Sequence, residues 1–263
     1  MKKKIFKILS WGLLITYLFI ILSFVSSKQQ NTLCTKVNIK IKGKERFIDS
    51  TSISNLFINK GISLKNKPIN SINFDEIEKT VLSQAEVAIT EVYSEYNGEL
   101  TIEVSQRKPI LRIMPMDISL NPFYIDLQGE TMPLSEKYTS HVSVLSGNIS
   151  ADFIKSNGND SIVNNKVKKV YNYTLNDVYE FAKYLFYHEL WSVQIEQIYI
   201  EKNYEIELIP RVGNHIIILG DLDNYKYKLY KLEAMYKEGF KLANWNNYSI
   251  INLKYSNQVV CKK

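Results

Sequence analysis

Asp126 and Glu130, set four residues apart around Leu127-Gln128-Gly129, are the carboxylates that invite a glycosidase reading. Such chemistry needs one carboxyl group buried enough to hold its proton near neutral pH. The Asp-Leu-Gln-Gly-Glu run instead reads as a hairpin turn, which makes both residues solvated turn positions. His141, His188 and His215 each lack a second histidine three or four residues away, so no zinc spacing exists. His215 heads the apolar run Ile216-Ile217-Ile218-Leu219 and reads as a structural residue at a strand end. The two cysteines, Cys34 and Cys261, are too few for a zinc ribbon. Nothing in their spacing brings their Cα atoms within the ~7 Å a disulfide needs, so they read as structural thiols. Nucleotide loops and nucleophile elbows are missing as well. The expectation is a chain with no catalytic residue, no cofactor and no metal.

What remains is the chemistry of docking. Lys254 and Tyr255 stand just before the apolar pair Val259-Val260, and a cation beside an aromatic ring at a sheet edge is a common binding anchor. The expected partner-binding segment is Ile250, Ile251, Asn252, Leu253, Lys254 and Tyr255, continued past Ser256 by Asn257, Gln258, Val259 and Val260. In it Lys254 and Tyr255 are the anchors, and the backbone of Gln258 to Val260 adds a partner's strand. The plainer alternative, Tyr255 packed on a neighbouring strand, stays open.

Two blocks must position this segment. In the first, Val37–Ile41 alternates apolar and polar residues as a half-buried strand does. Ser52–Asn59 and Asn73–Leu82 place apolar residues three and four apart, giving one-faced helices, with Gly61 as a stop and Asn73 as an N-cap. Ala85–Tyr96 and Leu100–Ile113 then read as strands joined at Asn97-Gly98. Strand, helix, helix, strand, strand over residues 37–110 is the order of a POTRA domain, whose sheet edge serves for docking rather than catalysis.

The second block, residues 111–263, reads as a mainly antiparallel sheet with two helices, making the whole chain α+β. Strand-like runs fall at His141–Leu145, Val193–Ile200, Tyr204–Ile209, His215–Leu219, Tyr248–Leu253 and Gln258–Cys261. The helices are Leu175–Glu189, capped by Thr174, and Leu222–Glu238, closed by Gly239. Tyr179, Phe181, Tyr184, Tyr187, Trp191 and Tyr225 are spaced as core, and residues 155–172 read as a mobile surface loop.

Ile8–Val25 is a run of 18 uncharged residues directly behind Lys2, Lys3, Lys4 and Lys7. As a helix it covers about 27 Å, enough to span a bilayer once if flanking residues join it. The positive-inside rule then places residues 1–7 in the cytoplasm, residues 8–27 across the membrane, 28–36 as a tether and the bulk outside. A cleaved signal peptide is the rival reading, disfavoured by the length of the run and by the lack of an Ala-x-Ala site. The net charge of +6 comes from terminal lysines; without them 27 basic residues face 27 acidic ones. That balance leaves no basic face for nucleic acid.

Three segments together resemble the FtsQ/DivIB family of bacterial division proteins. They are Ser105-Gln106-Arg107-Lys108-Pro109-Ile110, Phe123-Tyr124-Ile125-Asp126-Leu127-Gln128-Gly129-Glu130, and Ser249-Ile250-Ile251-Asn252-Leu253-Lys254-Tyr255. Their order and spacing behind one N-terminal anchor carry the resemblance, which covers the whole chain. Asn252-Leu253-Lys254 departs from the Asp-Leu-Arg of many members, and a lysine there lacks the bidentate fork of arginine. The resemblance implies a non-enzymatic, single-pass scaffold at the septum. It implies further that the C-terminal strands dock FtsB/DivIC-like partners, themselves bound to FtsL-like proteins, beside the septal peptidoglycan synthase. The alternative from another class is a membrane-anchored envelope hydrolase or sensor domain.

Overall fold

The computed structural model describes residues 11–21, 32–158, 161–239 and 247–263. Residues 11–21 form helix α1, in which the Thr16 hydroxyl donates to the carbonyls of Gly12 (3.1 Å) and Leu13 (3.0 Å). The rest of the expected membrane run, the tail 1–7 and tether residues 28–31 lie outside the described residues. No helix among the described residues is long and apolar enough to cross a membrane.

The chain divides into two compact units, Met1–Gln106 and Arg107–Lys263. In the first, β1 (Lys36–Lys42), α2 (Ser50–Asn59), α3 (Phe74–Leu82), β2 (Val87–Ser94) and β3 (Glu99–Gln106) follow in the expected order. The sheet runs β1-β3-β2, with β1 parallel and β2 antiparallel to β3. Asp49 caps α2 and Asn73 caps α3, each side chain accepting a backbone N–H. Gly61, at φ +68°, takes the left-handed position after α2 that glycine occupies without strain. Ile53, Phe57, Ile77 and Val81 from the helices and Leu100, Ile102 and Val104 from β3 make one core. Residues 32–36, expected as tether, belong to this unit instead. Cys34 is fully buried in its core, and its amide donates to the Lys67 carbonyl at 2.8 Å. Both cysteines are free thiols, pushed up in pKa by burial.

The run expected as one strand, Leu100–Ile113, is divided. β3 ends at Gln106, and β4 (Pro109–Pro115) starts a different sheet. That second sheet has nine strands, adding β5 (Phe123–Asp126), β6 (Thr131–Pro133), β7 (Ser143–Gly147), β8 (Ile195–Ile200), β9 (Ile206–Pro210), β10 (Ile216–Gly220), β11 (Ile250–Asn252) and β12 (Val260–Lys262). Its order is β12-β11-β10-β9-β8-β7-β4-β5-β6.

The pairings β4–β5, β5–β6, β8–β9, β9–β10 and β11–β12 are antiparallel, as expected for most of the sheet, but three others are parallel and the expectation of two helices needs correction. β4–β7, β7–β8 and β10–β11 are parallel pairs. Parallel neighbours need a crossover, usually helical. β7 reaches β8 through α4 (Ala151–Lys155), α5 (Ser161–Tyr171), α6 (Leu175–Tyr187) and α7 (Trp191–Gln194), while α8 (Tyr225–Ala234), continued by a π-helical segment over Met235–Gly239, links β10 to β11. The supposed loop 155–172 is therefore largely helix, and Val167 and Tyr171 of α5 are core residues. Thr174 caps α6 in a capping box with Asp177. Val178, Phe181, Ala182 and Leu185 of α6, Trp191, and Leu229 and Leu232 of α8 pack in one core with Leu111, Leu145, Ile198, Leu208 and Ile217 of the sheet. Tyr187 departs from the core expectation: at 68% exposure it stands on the outward side of α6.

Candidate functional site

β11 continues the sheet beyond β10 in parallel register, Ile216 opposite Ile250 and Ile218 opposite Asn252. The Leu253 amide adds a further rung to the Ile218 carbonyl at 2.9 Å. Ile251 and Leu253 are fully buried, so two of the ten expected binding residues belong to the core. Asn252 then ends the strand by turning its side chain onto the next backbone amide, Lys254 N to Asn252 Oδ1 at 3.0 Å.

The chain emerges there, and Lys254, Tyr255, Asn257 and Gln258 are all exposed, Tyr255 by 49%. The Lys254 stem crosses Gly220, which sits at φ +80° and where a Cβ would come within 2.8 Å of Lys254 Cγ. Its ammonium pairs with Glu205 Oε1, and this bond raises the lysine's pKa. Lys254 and Tyr255 are thus loop residues between two strands. They stand beside the edge rather than on it.

The edge itself is shifted from the expected span. Gln258 and Val259 lie outside the strand, with Val259 packed against the core, and the terminal strand β12 comprises Val260–Lys262. Cys261 faces inward, its Sγ 3.8 Å from Met235 Sδ, while Val260 and Lys262 are exposed. At the other end of the sheet, β6 has three residues, one of them Pro133, which cannot donate to a neighbour.

A cleft of about 570 Å³ opens beside this loop, lined by Gly220, Asp221, Tyr227, Lys228, Lys254 and Tyr255 among others. Two of its lysines are paired with acids. The Lys228 ammonium, nearly buried, donates to the Asp221 side chain (2.6 Å) and carbonyl (3.0 Å), and Glu205 meets Lys254. Lys231 also lines the cleft, and its ammonium donates to the carbonyls of Leu253 (3.4 Å), Tyr255 and Gln258 (3.3 Å). Sequence reasoning missed Lys231, Lys228 and Tyr227, for on α8 they read only as helix faces. Their partners lie up to 27 residues away, so no local spacing announces them.

Asp126 corrects another expectation, since it is fully buried rather than solvated. Its Oδ2 accepts from Arg107 Nη1 at 2.8 Å, and its Oδ1 accepts the backbone amides of Gln128 and Glu130 at 2.9 Å each. A carboxylate so occupied and so buried organises its turn. Glu130 is exposed, as expected. His215 Nε2 lies 2.8 Å from the Tyr236 hydroxyl in the core. His188 closes α6 and accepts the Trp191 amide at 3.5 Å. Among the described residues no cluster of His, Cys, Asp and Glu is arranged to hold a metal.

Each of the two units carries its own sheet and its own core. Residues 108–262 match the family described as FtsQ/DivIB, C-terminal related, and residues 32–105 match the POTRA-like domain. No curated protein matches the chain. With more than half its length in that match and a POTRA-like domain ahead of it, the chain belongs to the FtsQ/DivIB family.

Proposed function

We propose that the chain is a non-enzymatic, single-pass division scaffold whose C-terminal strands dock an FtsB/DivIC-like partner bound to an FtsL-like protein, and through them regulate septal peptidoglycan synthesis. The family's domains suggest a cell-division scaffold role, and the family is generally non-enzymatic. The observation that carries the finer reading is the β12 edge, with exposed Lys254 and Tyr255 beside it. Backbone groups on such an edge supply affinity, and side chains on alternate positions supply specificity.

Affinity capture of the full-length, detergent-solubilised protein, followed by mass spectrometry, tests this. Small bitopic division proteins of the FtsB/DivIC and FtsL type should be recovered with the septal synthase. Recovery of the scaffold without any of them would sink the partner assignment.

The rival hydrolase reading would draw on Glu130, or on the carboxylates Glu205, Asp221 and Asp223 that line the 570 Å³ cleft. Asp221 and Glu205 each pair with a lysine and Asp223 is exposed, and none of these is the setting of a proton-holding general acid. Glu130→Gln should therefore complement a depleted strain fully, since that side chain is exposed. A well-folded Glu130→Gln protein that failed to divide cells would revive the enzyme.

The anchor makes its own prediction. Four lysines ahead of the Ile8–Val25 run should keep the N-terminus inside, with the chain uncleaved. Protease added to intact spheroplasts should leave only a small membrane-held fragment. Full protection of residues 32–263, or a mature N-terminus near Ser26, would contradict it.

A further inference from the structure

The loop 253–258 carries the exposed anchor Tyr255 yet has no helix or strand of its own. A free loop would present that ring in many orientations, and binding would have to order it at the cost of affinity. Its fixation comes from α8. The Lys231 ammonium sits among the carbonyls of Leu253 (3.4 Å), Tyr255 and Gln258 (3.3 Å), so one cation gathers the start, middle and end of the loop. Tyr227, one turn earlier on α8, places its ring 5.5 Å from the same ammonium. Among the described residues that ammonium meets carbonyls and a ring face, not a carboxylate; the neighbouring acid, Asp221, is engaged by Lys228.

We propose that Lys231 is a positioning residue for the partner site, a clasp that holds residues 253–258 by their carbonyls and so presents Tyr255 to the partner. The role rests on the docking reading above. An ammonium suits it because it has three donors, no acceptor and a charge that strengthens each bond to a carbonyl dipole. Burial lowers the Lys231 pKa, with Lys228 nearby adding to the effect, as fits an ammonium partly withdrawn from water. The long stem is needed as well, for it must reach from the helix surface to the loop.

Lys231→Met keeps the stem and removes the donors, while Lys231→Arg keeps charge and donors. Two readouts on the full-length protein separate the clasp from the docking reading. The first needs no partner: amide hydrogen exchange at Leu253 and Lys254, whose N–H groups bond Ile218 O and Asn252 Oδ1. It should speed up about tenfold or more in Lys231→Met, and much less in Lys231→Arg, because local opening governs exchange there. The second is affinity for the extracytoplasmic segment of the FtsB/DivIC-like protein from the same cell. Lys231→Met should weaken it about tenfold, and should add nothing in a Tyr255→Ala background, since residues acting through one another are not additive.

Unchanged exchange in Lys231→Met overturns the clasp. Faster exchange with unchanged affinity overturns its role in presenting Tyr255, as does a loss of affinity that adds in full to that of Tyr255→Ala. If Tyr255→Ala itself binds normally, the docking reading fails and the positioning role fails with it, whatever the exchange shows.

Discussion

Replacing Tyr255 by alanine is expected to weaken binding of the FtsB/DivIC-like partner by at least about thirtyfold, the effect of losing a buried aromatic anchor worth ~2 kcal/mol. The melting temperature should barely move. The ring is 49% exposed in the free protein, so folding gains little from it, and its burial belongs to the complex. Ending the chain after Ser256 should abolish binding, because it removes the whole of β12 and the edge a partner strand would join. That variant should also melt earlier, since Val259 and Cys261 pack against the core. The point substitution therefore carries the test, and the truncation sets its limit. Calorimetry showing unchanged affinity for both variants would move the interface elsewhere, with the POTRA edge strand β1 the next surface to test.

Physical locality explains what the sequence revealed of this architecture and what it hid. Strand β1, helices α2, α3 and α6, and the turn at Asn97-Gly98 were legible because alternation, amphipathic spacing, caps and a glycine at φ +83° are all local signals. Parallel pairing is not local. β7 and β8 are neighbours separated by four helices, and nothing within either strand says so. Residues 155–172 read as loop because Asn157-Gly158 opens the stretch and lysines crowd the exposed side of α5, leaving few apolar positions such as Val167 and Tyr171 to show the period. The C-terminal end of the sheet was legible as a region but not in detail. Which strand residues face inward, and where the edge begins, depend on Asn252 turning the chain out of β11 and on a lysine from another element gathering the loop.

Asp126 is the clearest case of a non-local partner reversing a local reading, and its replacement should have a large effect on stability. An Asp-x-x-Gly turn normally lies in water, yet here Arg107, 19 residues earlier, supplies the counter-charge that lets the carboxylate be fully buried. The turn is bound on every side. Asp126 N donates to the Glu130 carbonyl, Gly129 N to the Asp126 carbonyl, and Leu127 N to the Lys108 carbonyl, while the Tyr179 hydroxyl donates to the Leu127 carbonyl at 2.8 Å. Arg107 Nε is buried with no hydrogen-bond partner among the described residues, so the guanidinium leans heavily on the carboxylate.

Asp126→Ala should accordingly cost about 3 kcal/mol, at the lower end for breaking a buried pair because the Arg107 side chain keeps some access to water. For a unit of this size that is a fall of roughly 6–12 °C in its melting transition. Asp126→Asn should cost less, about 1–2 kcal/mol, since an amide oxygen can still accept the Gln128 and Glu130 amides while the charge facing Arg107 is lost. Replacing both partners at once, as Arg107→Met with Asp126→Leu, should recover part of the loss, because no charge is then left buried alone. Thermal denaturation of the four proteins settles the ranking. An Asp126→Ala protein that melts with the parent would show the pair to be dispensable. An Asp126→Asn protein that keeps its stability but loses division would give this carboxylate a chemical duty that a hydrogen-bonded turn does not explain.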